Sequence, residues 1–199
     1  MEQQNDRRDA MLSAMHSCME QTFLESCRRI QTELEENGET VWEELKTALW
    51  DVLNQAVKAK EKGGKGDIHY LAFSFLKSGI HLDRLEWHIN ALDDGFYLDE
   101  TETAGYYTPA FLNASYAKDL EEIRKALGKE FIRIQNYEWD RVKEVYAGYY
   151  DAFMFSMVES LKERIAEEMA DSGMTADGCR LIYGEYMDKA EIICEVQGT

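Results

Sequence analysis

Proline is almost missing from this chain, with one residue, Pro109, in 199, and cations are scarce, with 22 lysines and arginines against 39 carboxylates. So few chain breakers, read with long periodic apolar runs, point to an all-α or nearly all-α protein. The formal net charge of −17 argues against a nucleic-acid backbone or an anionic membrane as the main partner, because both would repel it. The four cysteines (Cys18, Cys27, Cys179, Cys194) form no C-x-x-C and stand near no clustered histidine, so neither a zinc site nor a disulfide framework is suggested. They read as reduced thiols in a cytoplasmic protein. No run approaches the roughly 18 uninterrupted apolar residues of a membrane span, and no apolar segment of signal-peptide type follows the polar start with Arg7 and Arg8. The patterns G-x-S-x-G, H-E-x-x-H and E-x-x-H are absent too.

What is present is enough for a large core: 45% hydrophobic residues with 12% aromatics excludes disorder. One domain over residues 1–199 fits this length. The strongest periodic stretch runs from Val142 to Met169, with Val145, Tyr149, Phe153, Met157, Leu161 and Ile165 at steps of three and four. Between Val145 and Val158 apolar character spreads around the whole circumference, which predicts a central rod buried on every side. A first helix, from about Arg7 to Glu36, carries Leu12, Met15, Met19, Phe23, Cys27, Ile30 and Leu34 and ends at Asn37-Gly38. Thr40-Val41-Trp42-Glu43 has the form of a capping box, so a second helix to about Lys60 folds back on the first as an antiparallel pair.

Residues 58–67 (KAKEKGGKGD) read as a mobile loop; the phosphate-loop pattern is not there. Asp67 then caps a short helix over Ile68, Leu71, Phe75 and Leu76. Next the period changes to two, with Leu85, Trp87, Ile89 and Ala91 alternating with polar residues, and Asp94-Gly95 suits a tight turn. This predicts a β-hairpin over residues 82–99, with Leu98 opposite Ala91. Thr108-Pro109 starts a helix that ends at Gly128, residues 129–136 are ambiguous between helix and extended chain, and Asn136 caps the rod. Thr175 opens a last helix with Ile182, Tyr186, Ala190 and Ile193 inward. The expected fold is therefore a mostly α helical bundle of long antiparallel helices, with one β-hairpin inserted around residues 82–99.

Asp151 is the main candidate for a ligand site, because it is the one charge in the apolar centre of the rod and follows Ala147 and Gly148 by a turn. A buried carboxylate must be paired, hydrogen-bonded or protonated. Tyr146, Tyr149 and Tyr150 would supply hydroxyls or an aromatic wall, especially for a cation. The plainer outcome is that Asp151 simply bonds a tyrosine or a backbone amide. His81, Asp83, Glu86, His88, Asp99, Glu100 and Glu102 gather on the hairpin, but alternation lets at most two converge on its first strand, so no metal site is assigned. No residue is assigned as catalytic, and no cofactor is called for.

Acidic residues also stand where helices disfavour them: Glu159, Glu163 and Glu167 at i, i+4, Glu167, Glu168 and Asp171 in the rod's last turns, and Glu33, Glu35 and Glu36 ending the first helix. Charge set against local preference suggests docking of a basic partner. The leading functional expectation is a non-enzymatic cytoplasmic protein acting through protein–protein interaction, as a regulator, an adaptor or a self-associating subunit. The alternative is a small-molecule binder or enzyme with its site at Asp151 and the tyrosines.

Overall fold

The computed structural model describes residues 2–196, with side chains from Met11 onward except Leu12, so the inward position expected for Leu12 lies outside the described residues. Four α-helices and five strands follow in the order α1 (Glu2–Glu61), β1 (Ile68–Phe75), β2 (Trp87–Leu92), β3 (Ala104–Tyr107), α2 (Ala110–Glu130), α3 (Asn136–Ser160), α4 (Lys162–Asp171), β4 (Thr175–Glu185) and β5 (Ala190–Val196). Short 3-10 turns occupy Lys77–Leu82 and Phe96–Leu98. The strands form one five-stranded sheet of order β3-β2-β1-β4-β5, mixed because β1 pairs antiparallel to β2 but parallel to β4. This α+β architecture replaces the expected all-α bundle with its single hairpin.

Each correction has a local cause. Ile68–Phe75 is a strand and not the expected short helix; its run of aromatic and apolar residues suits a sheet buried on both sides, which apolar spacing alone does not separate from a helix. β2 does lie within residues 82–99, but it pairs with β1 and β3 instead of folding back on itself. Gly95 takes a helical conformation (φ −68) and its N–H donates to Asp93 Oδ1 at 2.9 Å, so the Asp93 side chain closes a 3-10 turn where a two-residue hairpin turn was expected. Leu98 consequently is 87% exposed and does not face Ala91. The expected last helix is the β4–β5 hairpin, whose glycines carry the signal that helical spacing concealed. Gly178 sits at φ +71, and a Cβ on Gly184 would lie 2.1 Å from the Lys189 carbonyl oxygen.

The helices also depart from expectation. α1 continues through Asn37, whose φ of −128 marks a kink and not a loop, because strong helix formers flank Asn37-Gly38 on both sides. Thr40 is therefore inside the helix, and the antiparallel pair with its capping box does not form. The rod is interrupted at Leu161 (φ −97, ψ 3), between α3 and α4. Its centre is buried along one stripe, including Tyr146, Tyr150, Met154 and Val158, while Gly148, Ala152 and Ser156 are exposed. Glycine and alanine count as apolar in a sequence pattern, yet they contribute too little area to force burial.

The described residues divide into two compact units: Met1–Gly38, Lys77–Leu85 and Ala110–Tyr150 form one, and Glu39–Leu76, Glu86–Pro109 and Asp151–Thr199 the other. The first unit is helical, with Met15, Met19, Ile30, Leu112, Tyr116, Ile123 and Val142 in its core. The Asn113 side chain of α2 holds the Leu85 backbone by two hydrogen bonds of 2.8 and 3.0 Å. Buried Lys143 reaches the His81 carbonyl at 3.3 Å and Asp83 at 3.0 Å. The second unit contains the whole sheet. One sheet face, with Leu71, Phe73, Trp87, Ile89 and Leu181, is buried under the apolar side of Glu39–Glu61, where Val52 approaches Gly105 so closely that a Cβ there would stand 3.0 Å away. Glu168 of α4, expected as free acidic surface, instead takes Lys46 at 2.6 Å and the Trp50 indole N–H at 2.6 Å.

Candidate functional site

In the helical unit, the hydroxyls of Tyr146 and Tyr150 both donate to Oδ2 of Asp119, each at 2.6 Å. The Ser26 hydroxyl donates to the same oxygen, and the Arg29 guanidinium pairs with Oδ1. Asp119 is wholly buried, and Tyr149 lies beside this group with its ring 5.1 Å from Phe23. Burial, then the bond to Asp119, raises the pKa of both tyrosines, which therefore hold their protons as donors. An oxygen that already accepts three hydroxyls and belongs to an arginine-paired carboxylate is a finished polar knot, not a reactive base. A sequence signal for Asp119 did exist: it stands in the apolar stripe of α2, three residues after Tyr116 and four before Ile123.

Asp151 belongs to the second unit and is half-buried. Its Oδ1 accepts the Tyr183 hydroxyl at 2.5 Å, and that hydroxyl accepts the Trp87 indole N–H at 2.7 Å. Burial, then the Asp151 charge, raises the Tyr183 pKa. Of the four residues singled out as ligand-binding, Tyr146 and Tyr150 thus converge on Asp119, Tyr149 packs on Phe23, and Asp151 bonds a tyrosine of β4.

A different arrangement occupies the outer face of the sheet. Alternation on β2 sends Trp87, Ile89 and Ala91 to the covered face, and His88, Asn90 and Leu92 outward, in register with Ser74, Ala72 and Tyr70 of β1. Outward placement would normally mean exposure, yet His88 is 3% and Asn90 8% exposed. Two loop segments fold over them. The β2–β3 connection packs Phe96 and Tyr97 against Ala72, Leu92 and Ile182, and it is held down by the buried ion pair of Asp99 with Lys65 of the glycine-rich loop. The β4–β5 turn sets the Tyr186 ring 5.0 Å from His88, and Tyr106 of β3 closes the other side at 5.3 Å.

His88 Nδ1 and Asn90 Oδ1 are buried without a hydrogen-bond partner among the described residues. Few buried polar groups go unpaired, and each one left so requires an explanation. His88 Nε2 faces the Glu102 carboxylate at 3.8 Å. Burial lowers the His88 pKa, against the opposing pull of Glu102 and Glu86, so the ring is neutral at neutral pH. Backbone strain is concentrated here as well: Phe96 (φ +54) and Met187 (φ +56), one in each covering segment, are left-handed without being glycine. Around the rim, Tyr106 is 63% and Met187 60% exposed, beside the exposed Leu98 and Tyr186.

No family model matches the chain, and no curated protein or solved structure matches it either. Function must therefore be argued from this geometry. Among the described residues, no helix is long and apolar enough to cross a membrane, and no group of three or more histidine, cysteine, aspartate or glutamate side chains is placed to hold a metal ion. Sequence reasoning weighed His88 only as a metal ligand. Asn90 carried no signal at all, because its burial depends on segments that fold over β2 from elsewhere in the chain.

Proposed function

We propose that this protein is a non-enzymatic, cytoplasmic binding protein that docks a basic protein partner on the outer face of its sheet. The observation that carries this reading is the pairing of unsatisfied His88 and Asn90 at the bottom with exposed Tyr106, Tyr186, Met187 and Leu98 at the rim. Tyrosine and methionine around a desolvated centre are what protein interfaces favour. A net charge of −17 makes a basic partner the complementary one and disfavours nucleic acid and anionic membrane. The cysteines fit a binding role: burial raises all four thiols, Cys179 to about 12, so none is a ready nucleophile.

The test is paired affinity capture from the native host, with the wild-type chain and the Tyr106→Ser/Tyr186→Ser variant as baits of matched thermal stability. The reading requires a protein of basic isoelectric point that the wild type retains, the variant loses, and added salt releases. Identical recovery on both baits overturns it.

A further inference from the structure

We infer that the recess over His88 and Asn90 receives the guanidinium of an arginine side chain presented by the partner. This inference rests on the docking reading above and names the group at its centre. The two side chains stand at i and i+2 on one strand, so their free atoms are held roughly 7 Å apart on a rigid frame. Asn90 Oδ1 can only accept. With Nε2 of neutral His88 directed at Glu102, its proton belongs on that nitrogen and Nδ1 presents a lone pair. The charged and titratable groups facing this imidazole are Glu86 at the start of β2, Glu102 before β3, Tyr106 on β3 and Tyr186 in the β4–β5 turn, while β1 contributes neutral Ser74.

A ligand that satisfies the site must therefore bring several N–H donors, no acceptor, positive charge and a flat apolar surface to lie among tyrosine rings. Carboxylates at the rim reject an anion. A lysine ammonium is a compact, strongly hydrated point charge that does not span both acceptors, whereas a guanidinium carries five donors in a planar fork and stacks on aromatic faces. Its long apolar stem also lets a residue rooted on a partner's surface reach the floor between Tyr106 and Tyr186.

The test is a titration of the full chain, labelled with 15N-histidine, with N-acetyl-arginine methylamide as the probe. N-acetyl-lysine methylamide and the neutral citrulline analogue serve as comparisons. The inference predicts saturable shifts of the His88 ring nitrogens at millimolar arginine probe, at least tenfold weaker response to citrulline, and a weaker response to lysine. Below the depressed pKa of His88, protonation turns Nδ1 from acceptor to donor, so the arginine response must weaken at least tenfold as the pH falls. Absence of a His88 shift, or equal shifts with all three probes, overturns the inference.

A second arm uses the partner captured above: His88→Gln and Asn90→Ser baits, checked for unchanged thermal stability, should bind it roughly ten- to a hundredfold more weakly, as expected for losing hydrogen bonds to a charged group. If these variants bind it as tightly as wild type while the tyrosine variant does not, the arginine assignment falls and the docking face stands. If the tyrosine variant also binds normally, the docking face falls too.

Discussion

Replacing Asp119 by alanine removes the acceptor shared by Ser26, Tyr146 and Tyr150 and the counter-charge of Arg29 in one step. Each buried hydroxyl left without an acceptor costs about 1–3 kcal/mol, and Arg29, partly exposed, can turn to water and adds less. Removing one partner from a buried charged group usually costs about 3–5 kcal/mol in total, so about 4 kcal/mol is expected, near a thousandfold in the unfolding constant. The corresponding fall in Tm is roughly 8–16 °C for a chain of this size.

Urea unfolding followed by far-UV circular dichroism measures the loss, and a double-mutant cycle isolates its cause. In the wild type, Tyr146→Phe deletes one of three donors to Oδ2 and should destabilise by about 1 kcal/mol. In the Asp119→Ala background the same change deletes an orphaned hydroxyl, so it should be neutral or stabilising. A Tyr146→Phe cost that is the same in both backgrounds would falsify the view of Asp119 as the shared acceptor.

Three further outcomes follow from the same contacts. Burial raises the pKa of Tyr107, Tyr116, Tyr146, Tyr150 and Tyr183, so the unfolded chain gives up these protons near pH 10 while the folded chain keeps them; stability should fall above that pH by up to about 1.4 kcal/mol per pH unit for each. Denaturant midpoints measured from pH 8 to 11 test this, and a flat profile would contradict it. Lys65→Met leaves the buried Asp99 carboxylate without its cation and should cost about 3–5 kcal/mol; the Lys65→Met/Asp99→Leu pair should recover much of it, and a single variant with wild-type stability would refute the buried pair. Gly184→Ala drives a Cβ to 2.1 Å from the Lys189 oxygen and should cost about 3 kcal/mol. Gly148→Ala, with nothing within 4 Å, should instead stabilise α3 by about 0.5–1 kcal/mol, so thermal shifts of the same sign for both would refute the packing argument.

The helices were legible where end signals and periodicity agreed. Thr108-Pro109 precedes a helix that begins at Ala110, and Asn136 opens α3. Asn37-Gly38 did disturb the backbone, but the good helix formers around it turned an expected stop into a kink. The sheet was hidden because its strands are short or built from residues whose spacing also suits a helix. Ile68, Leu71 and Phe75 fit i, i+3, i+7, and Ile182, Tyr186, Ala190 and Ile193 fit a helical stripe, yet Gly178 at φ +71 and Gly184 against Lys189 are incompatible with that reading. Only β2 announced itself, through strict alternation. Its partners could not be read, since pairing with β1 and β3 depends on contacts that no local pattern encodes.

The recess over β2 was illegible for a further reason. In a one-sided sheet the sequence rule is polar out, and His88 and Asn90 obey it; what makes them unusual is that segments carrying Phe96, Tyr97 and Tyr186 then remove the water they were turned toward. Burial without a partner costs about 1–3 kcal/mol per group, and the positive φ of Phe96 and Met187 adds about 1–3 kcal/mol each in the covering segments. By contrast, the buried Asp119, Asp99 and Tyr183 each have their hydrogen bonds. A chain that satisfies its other buried charges so fully, and leaves two neighbouring acceptors dry under strained segments, has kept those acceptors for a donor that comes from outside.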